Sequence, residues 1–167
     1  MSNQYQICEV TLREGYIPEL LAIWEASVRA SHDFLSEAAI EAIKAELPGA
    51  LLAVDDLVVV KAHTGQIAGF MGMAAENLEM LFLHPSYWGQ GLGRTLLEEG
   101  IASYGISQLT VNEQNPKAVG FYQEMGFVPY RRTALDTEGR PYPLLYMHYQ
   151  KEAEGSEEWK ARRAVDG

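Results

Sequence analysis

A glycine-rich loop, Trp88-Gly89-Gln90-Gly91-Leu92-Gly93-Arg94, is the feature that most constrains this chain. The loop follows an apolar segment typical of a strand, Met80 to Leu83, and precedes leucines spaced as on a helix. Alternating glycines let backbone N–H groups turn toward a ligand, and the start of a helix adds unpaired N–H donors and the positive end of its dipole. The sequence therefore predicts an anion site that suits a phosphate group.

Two better-known phosphate loops do not fit these residues. A P-loop needs glycine at the position of Trp88 and lysine at the position of Arg94. A dinucleotide fingerprint that starts at Gly89 and Gly91 needs glycine at Arg94, and it belongs to an early strand–helix–strand unit rather than to mid-chain. Both kinds of nucleotide-binding loop are excluded.

A second motif, Asn115-Pro116-Lys117-Ala118-Val119-Gly120-Phe121-Tyr122 followed by Met125-Gly126-Phe127, predicts a short helix capped by its asparagine. The two motifs together resemble the GCN5-related N-acetyltransferase family. Its coenzyme A loop reads Arg or Gln, two residues, Gly, one residue, then Gly or Ala; its other signature is Asn, a short helix, a Tyr and Gly-Phe. Gly91 and Gly93 match the loop, whereas the leading Arg or Gln falls on Trp88.

Three further segments resemble the bacterial YjaB-type branch of this family: residues 23–35, 110–115 and 141–145. Hydrophobic periodicity predicts the element order strand, two helices, three strands, helix, strand, helix, two strands. The second helix is expected to stop at Pro48-Gly49, and His63-Thr64-Gly65 indicates a hairpin.

This order is α+β and coincides with the family's fold, a mixed twisted sheet of about seven strands flanked by about four helices. We expect one acetyltransferase domain over residues 1–150 and an acidic tail, 151–167, that forms a short helix or is disordered.

Composition excludes several classes of function. A formal net charge of −10 opposes nucleic-acid binding, which depends on neutralising phosphates with Lys and Arg. No apolar segment approaches the roughly 20 residues that span a bilayer, and no signal peptide is visible, so we expect a cytoplasmic protein that does not bind membranes. One cysteine and four scattered histidines leave no spacing suited to a metal, so no metal is expected.

The resemblance implies acetyl-CoA as the acetyl donor and assigns residues to it. It places the coenzyme against backbone groups of the strand before the loop, the loop itself and the second motif. The residues concerned are Leu81, Phe82, Leu83, Gln90, Gly91, Leu92, Gly93, Arg94, Asn115 and Tyr122. One backbone N–H among Leu81, Phe82 and Leu83 is expected to hold the oxyanion, and the sequence does not select which.

Acetyl transfer to an amine requires proton transfers, because a lysine-like amine with a pKa of about 10.4 is protonated at neutral pH. Glu79 is the favoured base, directly or through a water, if its carboxylate is partly buried; a solvated Glu79 would be only a surface charge. Glu113 and His32 are the alternative bases. Tyr122 is the favoured acid for the departing thiolate, as in the family; the alternative is a tyrosine that only packs the core.

The acceptor wall is expected to include Trp24, His32, Phe34, Glu113 and Tyr142, although core packing explains Trp24 and Phe34 at least as well. The resemblance implies an N-acetyltransferase that moves the acetyl group directly to a primary amine of a small molecule, peptide or protein. It leaves open a monomer or a homodimer. The alternative function is a non-catalytic acyl-CoA binder or sensor.

Overall fold

The computed structural model describes residues 5–31 and 33–150. They contain seven β-strands and four α-helices in the predicted order, divided into a compact unit that ends at Ile106 and another that begins at Ser107. The single domain over residues 1–150 stays a prediction. The tail, 151–167, lies outside the described residues.

The first unit is an antiparallel sheet with three helices. Its strands are hydrogen-bonded in the order β1-β2-β3-β4, and each neighbouring pair is antiparallel. The predicted hairpin joins β2 to β3. The bounds are β1 Gln6–Glu9, α1 Ile17–Ser31, α2 Glu37–Ala53, β2 Asp56–Lys61, β3 Ile67–Ala74, β4 Asn77–Leu83 and α3 Leu92–Tyr104.

The core of this unit lies on both faces of the sheet. On one face, the predicted apolar stripe of α1, including Leu20 and Trp24, packs with Phe70 of β3 in a single buried cluster. On the other face, α3 approaches closely because Gly100 has no side chain: a Cβ there would lie 3.2 Å from the sulfur of Met71. The strand β4, which leads into the glycine loop, is therefore supported by packed layers.

Helix α2 corrects one prediction, because it continues through Pro48 to Ala53. Beyond the proline, Leu51 is completely buried, so tertiary packing offsets the backbone hydrogen bond that proline cannot make. The Arg13 guanidinium also donates to carbonyl oxygens at the helix end, to Leu51 at 2.9 Å and to Val54 at 2.7 Å. These donors satisfy acceptors that a helix end leaves unpaired.

The second unit is a three-stranded antiparallel sheet with one helix. Strand β7 lies between β5 and β6 and pairs with both. The predicted cap of α4 is confirmed, since the Asn115 side chain accepts a hydrogen bond from the Ala118 N–H at 3.3 Å. The bounds are β5 Gln108–Asn112, α4 Pro116–Glu124, β6 Phe127–Thr133 and β7 Leu144–Tyr149.

Candidate active site

The glycine loop has the backbone expected of an anion cradle. Gly89 and Gly91 both have φ of 80°, in the left-handed region that only glycine adopts readily, and Gly91 is the N-cap residue of α3. Within the described part of the chain, no acceptor pairs with the backbone N–H groups from Gly89 to Arg94. These donors, together with the positive end of the α3 dipole, are available to an anionic ligand.

The side chains of the loop brace it. The indole N–H of Trp88 donates to the Leu83 carbonyl at 3.0 Å, so the residue at the family's Arg or Gln position ties the loop to the end of β4. Both the N–H and the hydroxyl of Thr95 donate to the Gly91 carbonyl at 3.0 Å and close the first turn of α3. Arg94 is exposed, and among residues 5–31 and 33–150 its one ion pair is a 3.8 Å contact with Glu98, so its guanidinium can reorient.

Tyr5 is a neighbour of the loop that sequence reasoning missed. Its hydroxyl donates to the side-chain oxygen of Gln90, and its ring lies edge-on to that of Tyr87 with centroids 6.3 Å apart. Tyr5 and Gln90 are far apart in sequence, and no local sequence pattern indicates the hydrogen bond between them.

Strand β4 carries an extra residue at Glu79. Gly72 of β3 is opposite Met80, and the next residue, Met73, is opposite Leu78, so Glu79 has no partner in β3. Such a bulge redirects side chains and interrupts the ladder. Glu79 is exposed between the buried Leu78 and Met80.

The register of β4 also limits which backbone N–H can serve as oxyanion donor. The His84 N–H donates to the Ala68 carbonyl at 2.9 Å, across from β4 to β3. Because antiparallel strands alternate between bonded and non-bonded pairs, the N–H of Phe82 faces β3, and those of Leu81 and Leu83 point away from it. The remaining candidates for the oxyanion donor are therefore the backbone N–H groups of Leu81 and Leu83.

Tyr122 lies on α4 among aromatic rings. Its ring centroid is 5.2 Å from that of Phe121 and 6.2 Å from that of Phe127. Burial raises the pKa of the Tyr122 phenol above its ordinary value, so it keeps its proton at neutral and moderately alkaline pH. Asn115, at the start of the same helix, is buried, and its side-chain oxygen is engaged in the cap.

Glu113 is held in an ion pair. Arg132 donates from Nε and Nη2 to the two carboxylate oxygens, each at 2.8 Å. These hydrogen bonds hold the pKa of the Glu113 carboxyl below its usual range. A carboxylate stabilised in this way is a weak base, which argues against Glu113 as the proton acceptor.

The other residues predicted for the acceptor wall are placed in different environments. Trp24 is 3% exposed and packs in the core of the first unit, which supports its packing role. Phe34 is partly exposed in the connection after α1, and Tyr142 is partly exposed just before β7. His32 lies outside the described residues.

Across residues 5–31 and 33–150, His, Cys, Asp and Glu side chains form no group of three suited to a metal ion. The helices in these ranges include none long and apolar enough to cross a membrane.

The chain is similar to known sequences from one family. A family model described as "Acetyltransferase (GNAT) domain" matches residues 24–140. Peptidyl-lysine N-acetyltransferase YjaB of Salmonella typhimurium is 41% identical over 131 residues, which cover 78% of this chain and 90% of the relative. The protein of the same name from Escherichia coli is 40% identical, over 78% of this chain and 88% of its own length.

Solved structures share the fold. The solution structure of apo-form YjaB from Escherichia coli has a TM-score of 0.78 and 36% identity, over 87% of this chain and 97% of that one. The PaiA N-acetyltransferase of Thermoplasma acidophilum, solved in complex with coenzyme A, has a TM-score of 0.64 and 22% identity, over 89% and 100%. With seven strands and four helices in the expected order, the predicted fold class is confirmed.

Proposed function

The chain belongs to the GCN5-related N-acetyltransferase family, and from this premise we propose that it transfers an acetyl group from acetyl-CoA directly to the side-chain amine of lysine in a peptide or protein. Its predicted class, an N-acetyltransferase of the YjaB type, follows from that membership. The peptide acceptor is supported by two relatives at 41% and 40% identity that carry the name peptidyl-lysine N-acetyltransferase.

The glycine loop carries the proposal for the donor. The N–H groups from Gly89 to Arg94 have no acceptor among the described residues and lie at the N-terminus of α3. A pyrophosphate supplies several anionic oxygens close together, which suits a run of unpaired donors at the start of a helix better than a single carboxylate does. We assign Gln90, Gly91, Leu92, Gly93 and Arg94 to the pyrophosphate of acetyl-CoA, with Asn115 as a further coenzyme contact.

The reaction needs a neutral amine before it can begin. We assign this proton transfer to Glu79, acting through a water, because its carboxylate has no ion pair within the described residues. Its exposure to solvent equally fits the alternative, a plain surface charge. Glu113 is the less suitable base, since Arg132 lowers its pKa. The free amine then attacks the thioester carbonyl carbon, and the oxygen becomes an oxyanion held by the N–H of Leu81 or Leu83.

The tetrahedral intermediate then breaks down. The C–S bond breaks, the electron pair goes to sulfur, and the nitrogen loses its second proton to solvent. We assign the protonation of sulfur to Tyr122, because the resemblance places the family's acid at this position and because burial keeps the phenol protonated at the pH of the reaction. The products are the N-acetylated lysine and coenzyme A with a free thiol.

Charge supports a cationic acceptor. A formal net charge of −10 attracts lysine-containing peptides to the protein over distances of about a Debye length. Phe34, Glu113 and Tyr142 remain our candidates for acceptor contacts; Trp24 is the weakest, because it is buried in the core.

A turnover assay with acetyl-CoA tests this function. We expect thiol release, with the product mass increased by one acetyl group, for peptides with a free lysine. No release is expected for the same peptides with that lysine already acetylated. Turnover with small polyamines alone would refute the peptide acceptor. Tight coenzyme binding without turnover on any amine would instead favour the non-catalytic acyl-CoA binder.

A further inference from the structure

Tyr5 belongs to a chain of contacts that runs across the glycine loop. Its hydroxyl donates to Oε1 of Gln90, and its ring packs edge-on against Tyr87. The Tyr87 hydroxyl donates in turn to Oε1 of Gln66, just before β3, at 2.9 Å. Gln6, the residue that follows Tyr5 in the chain, is paired with Lys61 of β2. Tyr5 is thus anchored on the sheet while its hydroxyl reaches the loop.

This hydrogen bond decides which end of the Gln90 amide faces outward. A glutamine side chain has one oxygen acceptor and one NH2 group with two donors. Because Oε1 receives the Tyr5 proton, the amide is held with its NH2 group directed elsewhere. Gln90 has no other hydrogen bond within the part of the chain that the structure describes, so both N–H donors remain available.

The other side-chain donors of the loop are less suited to an anion. The Trp88 indole is committed to the Leu83 carbonyl, and the Thr95 hydroxyl to the Gly91 carbonyl. Arg94 is exposed and faces Glu98 at 3.8 Å. Gln90 is therefore the side chain of the loop that combines uncommitted N–H donors with an orientation fixed by a neighbouring residue.

We propose that Tyr5 is a positioning residue for coenzyme A: it holds the Gln90 amide with its NH2 group toward the pyrophosphate, in place of the side chain that Trp88 does not supply. This inference rests on the proposed acetyl-CoA function. A fixed amide loses less conformational freedom on binding than a mobile one, and the gain appears as coenzyme affinity. Tyr5 touches neither the thioester nor the acceptor and acts only through Gln90.

A double-mutant cycle tests the proposal on the full chain. Tyr5→Phe keeps the ring against Tyr87 and removes only the hydroxyl. We expect it to weaken coenzyme A binding, measured by calorimetry, by about threefold to tenfold, the range of one net hydrogen bond. KM for acetyl-CoA should rise by a similar factor with kcat unchanged. In a Gln90→Ala background the same substitution should have no further effect, because the amide it orients is gone.

Dephospho-coenzyme A, which retains the pyrophosphate, should show the same coupling between the two substitutions. The matched control is Tyr16→Phe, which removes a phenolic hydroxyl elsewhere in the first unit and should leave coenzyme affinity unchanged. Thermal denaturation checks that each variant is folded.

Three results would overturn the role of Tyr5: unchanged affinity in Tyr5→Phe, additive losses in the double variant, or coupling that disappears with dephospho-coenzyme A. Failure of the unsubstituted protein to bind coenzyme A at all would refute the proposed function instead, so the two failures are distinguishable.

Discussion

Arg132 and Glu113 join strand β6 to the segment after β5 through two parallel hydrogen bonds of 2.8 Å. Arginine and carboxylate match in this two-point geometry, which holds both side chains in one orientation. The Glu113 backbone N–H also donates to the Pro143 carbonyl at 2.9 Å. The position of Glu113 is therefore fixed from both ends, and its carboxylate is committed to a partner.

The first prediction concerns the ionisation of Glu113. Its pKa is lowered below 4.5, mainly by the hydrogen bond from Arg132, so the pair stabilises the fold at pH values above the ordinary glutamate range. That stabilisation should be lost as the pH falls through the depressed value. We expect Arg132→Gln to raise the pKa of Glu113 toward 4.5, measured by carboxyl NMR titration. A pKa that does not move would contradict the assigned cause.

The same carboxylate leads to a prediction about catalysis. Because Arg132 holds the Glu113 carboxylate, Glu113→Gln should change kcat/KM at neutral pH by less than about threefold. Glu79→Gln should lower kcat/KM at neutral pH by about a hundredfold, since we assign the base to Glu79. The opposite pattern would move the base to Glu113.

Substitution of Tyr122 tests the acid. We expect Tyr122→Phe to lower kcat by about a hundredfold to ten-thousandfold, the usual contribution of a general acid, with little change in coenzyme affinity. Since burial raises the pKa of this phenol, unsubstituted activity should not fall through Tyr122 ionisation at moderately alkaline pH. Tyr130→Phe, at a residue that is 52% exposed, is the matched control. If kcat of Tyr122→Phe stayed within a factor of about three of the unsubstituted value, Tyr122 would have only a packing role.

Gly91 tests the cradle independently of proton transfer. Its φ of 80° makes any side chain strained, although a Cβ there would contact nothing within 4 Å. Gly91→Ala should lower the free energy of unfolding by about 1–2 kcal/mol and weaken coenzyme A binding by about tenfold or more as the loop relaxes. Urea denaturation and calorimetry measure the two effects.

Gly49 provides the control for that substitution. It lies within α2 and would also receive a Cβ without contact, but its φ is not in the left-handed region. Gly49→Ala should stabilise the protein by about 0.5–1 kcal/mol, because alanine loses less backbone freedom in a helix. Equal changes in the free energy of unfolding for Gly91→Ala and Gly49→Ala would show that a side chain at residue 91 does not strain the loop backbone.

Much of the fold is predictable from sequence because its signals are local. Asn115, Pro116 and Gly126 mark the ends of α4, and the glycine loop marks the start of α3; the structure confirms these helices. The contact of Tyr5 with Gln90 depends instead on how distant segments come together. The same holds for the bulge at Glu79, which is visible only in the pairing of β3 with β4. Hydrophobic periodicity along the sequence carries no information about the Tyr5–Gln90 contact or about the bulge at Glu79.

Pro48 is the position where a local rule failed. Proline removes one helical hydrogen bond and crowds the carbonyl of the preceding turn, so a stop was the natural prediction. The helix continues because Leu51 on the far side is completely buried and because Arg13 binds the carbonyls of Leu51 and Val54. Both compensations come from residues that the local sequence around the proline does not reveal.

The cost of Pro48 can be measured directly. Pro48→Ala restores an N–H that can donate to the Lys44 carbonyl, and it removes the crowding by the ring. We expect the free energy of unfolding to rise by about 1–3 kcal/mol, reduced from the full helix-interior penalty because proline also restricts the unfolded chain. Pro18→Ala is the control: that proline is the second residue of α1, in the first turn, where proline is well tolerated, so its replacement should change stability by less than about 0.5 kcal/mol. Urea denaturation of both variants gives the comparison. If Pro48→Ala were neutral, α2 would tolerate its proline without strain, and packing of Leu51 would not be what carries the helix past it.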